Sequence, residues 1–137
     1  MIPVVQDCPT AGAKAGASLA TGLGFGRVFT DHMLLARHEP ASGWQDALVV
    51  PYGPLSLDPA TMALHYGQAV FEGLKAFRGD DGRVRLFRPQ KYIARLNSSA
   101  RRLCIPALDE DIVLHWLLDL VRRDEASCLA SRGARFT

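Results

Sequence analysis

Paired cysteines, lysines and long apolar runs are all scarce in this chain of 137 residues. The three cysteines, Cys8, Cys104 and Cys128, are odd in number, far apart and without CxxC or Cys/His spacing. That argues against a disulfide framework or a zinc site, and the reading is reduced packing thiols in a cytoplasmic setting. No run approaches the ~20 apolar residues of a membrane span, and the apolar start is broken at Gln6 and Asp7, unlike a signal peptide, so a soluble, unexported chain is expected. The net charge of +2 is too mild to make nucleic acid or an anionic membrane the partner. His32, His38, His65 and His115 show no ligand spacing, so no metal is expected. Ser56, Ser98 and Ser99 lack the strand-turn-helix elbow of a nucleophile. "GLGFG" at 22–26 has no preceding strand and no following helix, which removes it as a dinucleotide loop.

What is present is enough for one core, since 48% of the residues are hydrophobic and 22% charged. Residues 1–24, rich in Ala, Gly, Ser and Thr from Asp7 onward, read as a flexible arm. "RVFTDHMLLA" at 27–36 reads as a half-buried strand, and "ALVVPYGPLSLDP" at 47–59 as short extended pieces punctuated by Pro and Gly. "LHYGQAVFEGLKAFRG" at 64–79 also has strand residues, and Asp81-Gly82 supplies a turn into "RVRLFRP", which makes a β-hairpin. Alternation puts Phe71, Gly73, Lys75 and Phe77 on one face of its first arm and Val70, Glu72, Leu74 and Ala76 on the other. Gly73, costly inside a strand, is expected to give clearance beside a pocket or a neighbouring strand.

Two helices follow. Pro89 suits a first helical turn, and Tyr92, Ile93, Leu96, Ala100 and Leu103 form one stripe with Arg95, Ser99 and Arg102 along its flank. The second has Asp109 as N-cap, Glu110 and Asp111 at the positive end of the dipole and Arg122 and Arg123 at the negative end. Its inner face is Ile112, Val113, Trp116, Leu117, Leu120 and Val121. Strands and then helices in separate runs give an α+β class, and residues 126–137 read as an irregular tail.

Four blocks carry more than a fold class. "FGRVFTDHML", "LHYGQAVFEGLKAFRG", "RVRLFRP" and "ARLNSSARRL", in that order and at compatible spacing, resemble the N-terminal part of the branched-chain amino acid aminotransferases, which are fold-type IV pyridoxal-phosphate enzymes. The likeness covers residues 25–125 and implies a class IV small domain: an antiparallel β-sheet with a hairpin, packed against two helices. By position it makes Arg95 the anchor of the cofactor phosphate, a role suited to a planar guanidinium. It makes Phe25, Tyr66 and Phe71 walls of the pocket for a branched aliphatic side chain, with the tyrosine reaching across a homodimer. Glu72 and Lys75 go to fold or interface contacts.

The resemblance implies amino transfer between leucine, isoleucine or valine and 2-oxoglutarate, with pyridoxal 5'-phosphate as cofactor. In the family the lysine that forms the Schiff base belongs to the C-terminal domain; Lys14, Lys75 and Lys91 match no such motif. No catalytic residue is therefore assigned, and the chain by itself is expected to be inactive. Past Glu125 the sequence leaves the family pattern, as a frame change or truncation would produce. The alternative is a non-catalytic domain that pairs with an intact aminotransferase subunit and modulates it, or a truncated remnant.

Overall fold

A computed structural model describes residues 6–7 and 29–128. Phe25, Cys8, Lys14, the 22–26 glycine run and the tail beyond Cys128 lie outside the described residues. The element order is β1 (Gln6–Asp7), β2 (His32–Glu39), β3 (Gly43–Pro51), α1 (Met62–Tyr66), β4 (Ala76–Arg78), β5 (Val84–Leu86), α2 (Pro89–Arg102) and α3 (Glu110–Arg123), with a 3-10 turn at Glu125–Ser127. The α+β class is observed: β2 and β3 form one antiparallel pair, β4 and β5 another, and β1 adds a short parallel edge to β3.

The β2–β3 pair and α3 make the core. Strand residues alternate across the sheet, so Ala47 and Val49 of β3 turn inward together, 4% and 3% exposed. Trp116 of α3 meets them at 2% exposure, with Leu34, Ala36, Trp44, Ile112, Val113 and Leu120 packed around. The register shifts between Leu35 and Arg37, where β3 uses one extra residue. Asp46 absorbs that bulge in the left-handed conformation (φ 52°), which aspartate tolerates better than most side chains. Residues 27–28 of the expected strand lie outside the described residues; residues 29–31 are not in the ladder, and the strand runs from His32 on to Glu39, because its limit is set by pairing with β3 and not by its own apolar run.

Helix α3 is built as its charges indicate. The Asp109 side chain accepts from the backbone N–H groups of Asp111 (3.1 Å) and Ile112 (3.0 Å), closing the first turn. Its far end is tied down: buried Asp124 accepts from the His32 backbone N–H at 3.3 Å and lies 2.6 Å from His32 Nδ1. Arg78 of β4 meets Glu125 through both its carboxylate (3.3 Å) and its backbone carbonyl, so the hairpin is fastened to the same helix end.

Helix α2 starts at Pro89 as expected and buries Ile93 and Ala100. Asn97, 4% exposed, accepts from the Leu108 N–H (2.8 Å) and donates to the Leu108 carbonyl (2.9 Å), which fixes the α2–α3 connection. Leu103, placed on the helical stripe by spacing, is instead the C-cap at 40% exposure. The hairpin turn forms at Asp80 to Gly82, with Gly82 at φ 76° where a side chain is strained.

The 64–79 stretch departs most from its strand reading. Residues 64–66 finish the five-residue helix α1, which Gly67 ends in the left-handed conformation (φ 62°). Only Ala76–Arg78 is paired strand, and residues 67–75 are irregular. The expected two faces survive in burial: Val70, Glu72, Leu74 and Ala76 are half-buried while Phe71, Gly73 and Lys75 are exposed. Phe77, placed by alternation on the same face as Phe71, Gly73 and Lys75, differs from them in being half-buried. The alternation is present, but among the described residues no neighbouring strand converts it into a ladder. At Gly73 a Cβ would meet nothing within 4 Å, so the space beside it is open among the described residues.

Candidate functional site

The site forms where residues 67–75 run along α2. Gln68 donates to the Leu103 carbonyl at 2.7 Å, and four residues later Glu72 reaches Arg95. The segment therefore travels from the C-terminal end of α2 toward its N-terminus. Gln68 and Glu72, an even number of residues apart, both reach the helix, while Phe71 is left in solvent.

Arg95 projects from the flank of α2 at 65% side-chain exposure, while Glu72 is 13% exposed. Arg95 Nε donates to Glu72 Oε2 at 2.6 Å and Nη2 donates to Oε1, a two-point grip along one edge of the guanidinium. Glu72 Oε1 also accepts from the Gly73 N–H at 2.8 Å. The Arg95 hydrogen bond holds the Glu72 carboxyl below its ordinary range, and the same contact raises Arg95. One turn back, the Tyr92 ring lies under the guanidinium, 5.2 Å from its carbon to the ring centroid.

Beside this pair is an open hollow of about 360 Å³ lined by Phe87, Arg88, Lys91, Tyr92 and Arg95. Three cations at its wall favour an anion, and two aromatic rings offer a flat apolar surface. Arg88, immediately before α2, sits at φ 49°, a conformation disfavoured for an arginine. The chemistry of this set is that of holding a phosphate or carboxylate on a small ring compound. The hollow provides no carboxylate general base of its own.

The sequence-assigned residues divide. Arg95 is in the hollow. Tyr66, the last residue of α1, is 78% exposed, and Phe71 is 94% exposed; neither lines the hollow. Phe25 lies outside the described residues. Glu72, given only a fold or interface contact from sequence, is the partner of Arg95. A signal was present: it is the one charge on the face shared by Val70, Leu74 and Ala76, and a charge in an apolar row needs a partner.

Among the described residues no group of three His, Cys, Asp or Glu could hold a metal ion. His32 is paired with Asp124, His65 Nε2 lies 2.6 Å from the Pro59 carbonyl, and His115 lies 3.4 Å from Asp119. Cys104 and Cys128 are free thiols; Cys104 is exposed, unlike the packing role expected for it, and desolvation pushes the Cys128 thiol up. No described helix is long and apolar enough to cross a membrane.

No family model matches the chain. Individual proteins do. It is 55% identical over 103 residues to branched-chain-amino-acid aminotransferase 2 of Bacillus subtilis, 75% of this chain and 28% of that protein. It is 51% identical over 109 residues to a probable branched-chain-amino-acid aminotransferase of Streptomyces coelicolor, covering 80% and 30%. The branched-chain-amino-acid aminotransferase of Mycolicibacterium smegmatis is 49% identical over 108 residues, covering 79% and 29%. The match thus takes in most of this chain and less than a third of each relative.

Proposed function

We propose, from a chain that carries the N-terminal part of a branched-chain aminotransferase sequence, that it supplies the small-domain share of such an enzyme's active site. The reaction is reversible amino transfer between leucine, isoleucine or valine and 2-oxoglutarate, in the cytoplasm and within a homodimer. The observation that carries this reading is Arg95, standing in its motif position on α2 at the wall of a hollow with two further cations.

The residues fit pyridoxal 5'-phosphate at its phosphate end. Glu72 occupies one edge of the Arg95 guanidinium, and a guanidinium has a second edge with two parallel N–H groups that match phosphate oxygens. Arg88 and Lys91 add positive charge at the same wall. When bound, the cofactor supplies the electron sink on which the amino group is exchanged. Arg95 binds and orients; Phe25, Tyr66 and Phe71 exclude water from the aliphatic side chain of the substrate, with Tyr66 reaching across the dimer. The high exposure of Tyr66 and Phe71 supports the pocket role of those two, because rings left in solvent need a covering surface. Residues 25–125 form the domain, 1–24 the arm and 126–137 the divergent tail.

These 137 residues contribute binding, and since Lys14, Lys75 and Lys91 match no Schiff-base motif, they are expected by themselves to bind the cofactor without turning over. The test is titration of the purified chain with pyridoxal 5'-phosphate and with pyridoxal. The phosphate ester is expected to bind more tightly, Arg95→Ala to remove the difference, and borohydride to fix no single lysine. Equal binding of the two compounds, or turnover by the chain alone, overturns the reading.

A further inference from the structure

We propose that Glu72 is a positioning residue for the anion site: by gripping the Nε/Nη2 edge of the Arg95 guanidinium it turns the adjacent Nη1/Nη2 edge toward a phosphate in the hollow of Phe87, Arg88, Lys91 and Tyr92. The inference deepens the function proposed above and rests on it for the identity of the anion.

The donor count carries it. A guanidinium has five N–H groups in one plane. Glu72 takes Nε and one hydrogen of Nη2, which leaves both hydrogens of Nη1 and the outer hydrogen of Nη2. Two of these are parallel and form the edge that a phosphate accepts. The grip is firm on the glutamate side: the Glu72 side chain is 13% exposed and its carboxylate also receives the Gly73 N–H at 2.8 Å, whereas the Arg95 side chain is 65% exposed. A long exposed arginine without this partner samples many rotamers, and that freedom has to be lost when an anion binds. The Tyr92 ring beneath the guanidinium restricts it further, at 5.2 Å.

Electrostatics and positioning predict opposite signs. Removing the charge of Glu72 makes the site more positive, so on charge alone phosphate binds more tightly to Glu72→Gln. If Glu72 positions Arg95, the same substitution weakens binding. The measurement is titration of the full chain, Glu72→Gln, Glu72→Asp and Arg95→Ala with inorganic phosphate and with pyridoxal 5'-phosphate at fixed ionic strength. A second readout is the Arg95 Nε–H resonance, which reports the grip without any ligand. Expected are loss of binding in Arg95→Ala, a fall of about tenfold in Glu72→Gln, as is typical when an outer partner that orients a binding group is removed, and partial recovery in Glu72→Asp. The Nε–H signal is expected to be protected from solvent exchange in the parent and not in Glu72→Gln. Arg95-dependent binding that is unchanged or tighter in Glu72→Gln overturns this proposal and leaves the function standing. Binding of both probes that does not depend on Arg95 overturns both.

Discussion

The β2–β3–α3 unit and the 53–75 segment differ in what they do with apolar side chains. In the first, Ala47, Val49 and Trp116 are at most 4% exposed. In the second, Leu55, Leu57, Met62, Leu64, Tyr66 and Phe71 are between 49% and 94% exposed. Composition does not explain the contrast, since both regions are rich in apolar residues. Partnership does. β2 pairs with β3 and α3 lies across them, whereas residues 67–75 alternate like a strand with no strand paired alongside among the described residues. A chain matching less than a third of its relatives' length has one part that completes its own core and one whose apolar side faces outward.

The contrast can be broken hardest at Trp116. Replacing it with alanine is expected to cost about 3–5 kcal/mol, the range for removing a buried large aromatic, read from chemical denaturation. Among the described residues its indole N–H is buried without a hydrogen-bond partner. Trp116→Phe is therefore expected to cost much less than the alanine change, because it discards an unsatisfied donor along with the contact area. An alanine variant within about 1 kcal/mol of the parent would mean that the packed unit is not what holds the fold.

Asn97→Ala comes next, with an expected loss of about 1–3 kcal/mol. The change strips both the Leu108 N–H and the Leu108 carbonyl of their partner in a buried loop. A thermal melt indistinguishable from the parent would show that water replaces the amide, and would move the α2–α3 connection to the open side of the contrast.

Local signals were the legible ones. The Asp109 cap, the acidic and basic ends of α3, Pro89 at the head of α2 and the Asp81-Gly82 turn act within a few residues of themselves, and the structure has each where the sequence indicates. Features that depend on distant chain were not legible. Asn97, Asp124 and His32 carry no local pattern, and their hydrogen bonds join residues 11 to 92 positions apart. The 64–79 stretch has the residues of a strand, but a strand is a property of two segments, and only 76–78 found a partner. At the site, Arg95 was marked by its motif, while Glu72 showed only as a charge in an apolar row and its role emerged when the segment was laid along α2. The dispositions of Tyr66 and Phe71 were not legible, because an aromatic awaiting a covering surface reads the same as one already covered.

A smaller effect separates the two regions by pH. The folded-state pKa of Glu72 is depressed by Arg95, so the ion pair contributes above the ordinary carboxylate value of 4.5 and is lost as pH falls through the lower folded value. Protection of the Arg95 Nε–H is expected to persist at pH 5 and to disappear in stronger acid, while far-UV circular dichroism changes little over that first step. Loss of protection already at pH 5 would mean that the grip is too weak to lower the carboxyl.

The smallest effect belongs to Phe71. With 94% of its surface in solvent, truncating it deletes almost no intramolecular contact, and removing an exposed apolar side chain gains as much from hydration as it loses. Phe71→Ala and Tyr66→Ala are each expected within about 0.5 kcal/mol of the parent in the chain alone. That near-silence is informative because it is conditional. If these rings wait for a covering surface, the same substitutions weaken association with any polypeptide that covers them while leaving the isolated chain untouched. A loss above about 1 kcal/mol from Phe71→Ala in the isolated chain would instead mean that the ring is packed in solution, and that the 53–75 segment closes on the rest of the molecule after all.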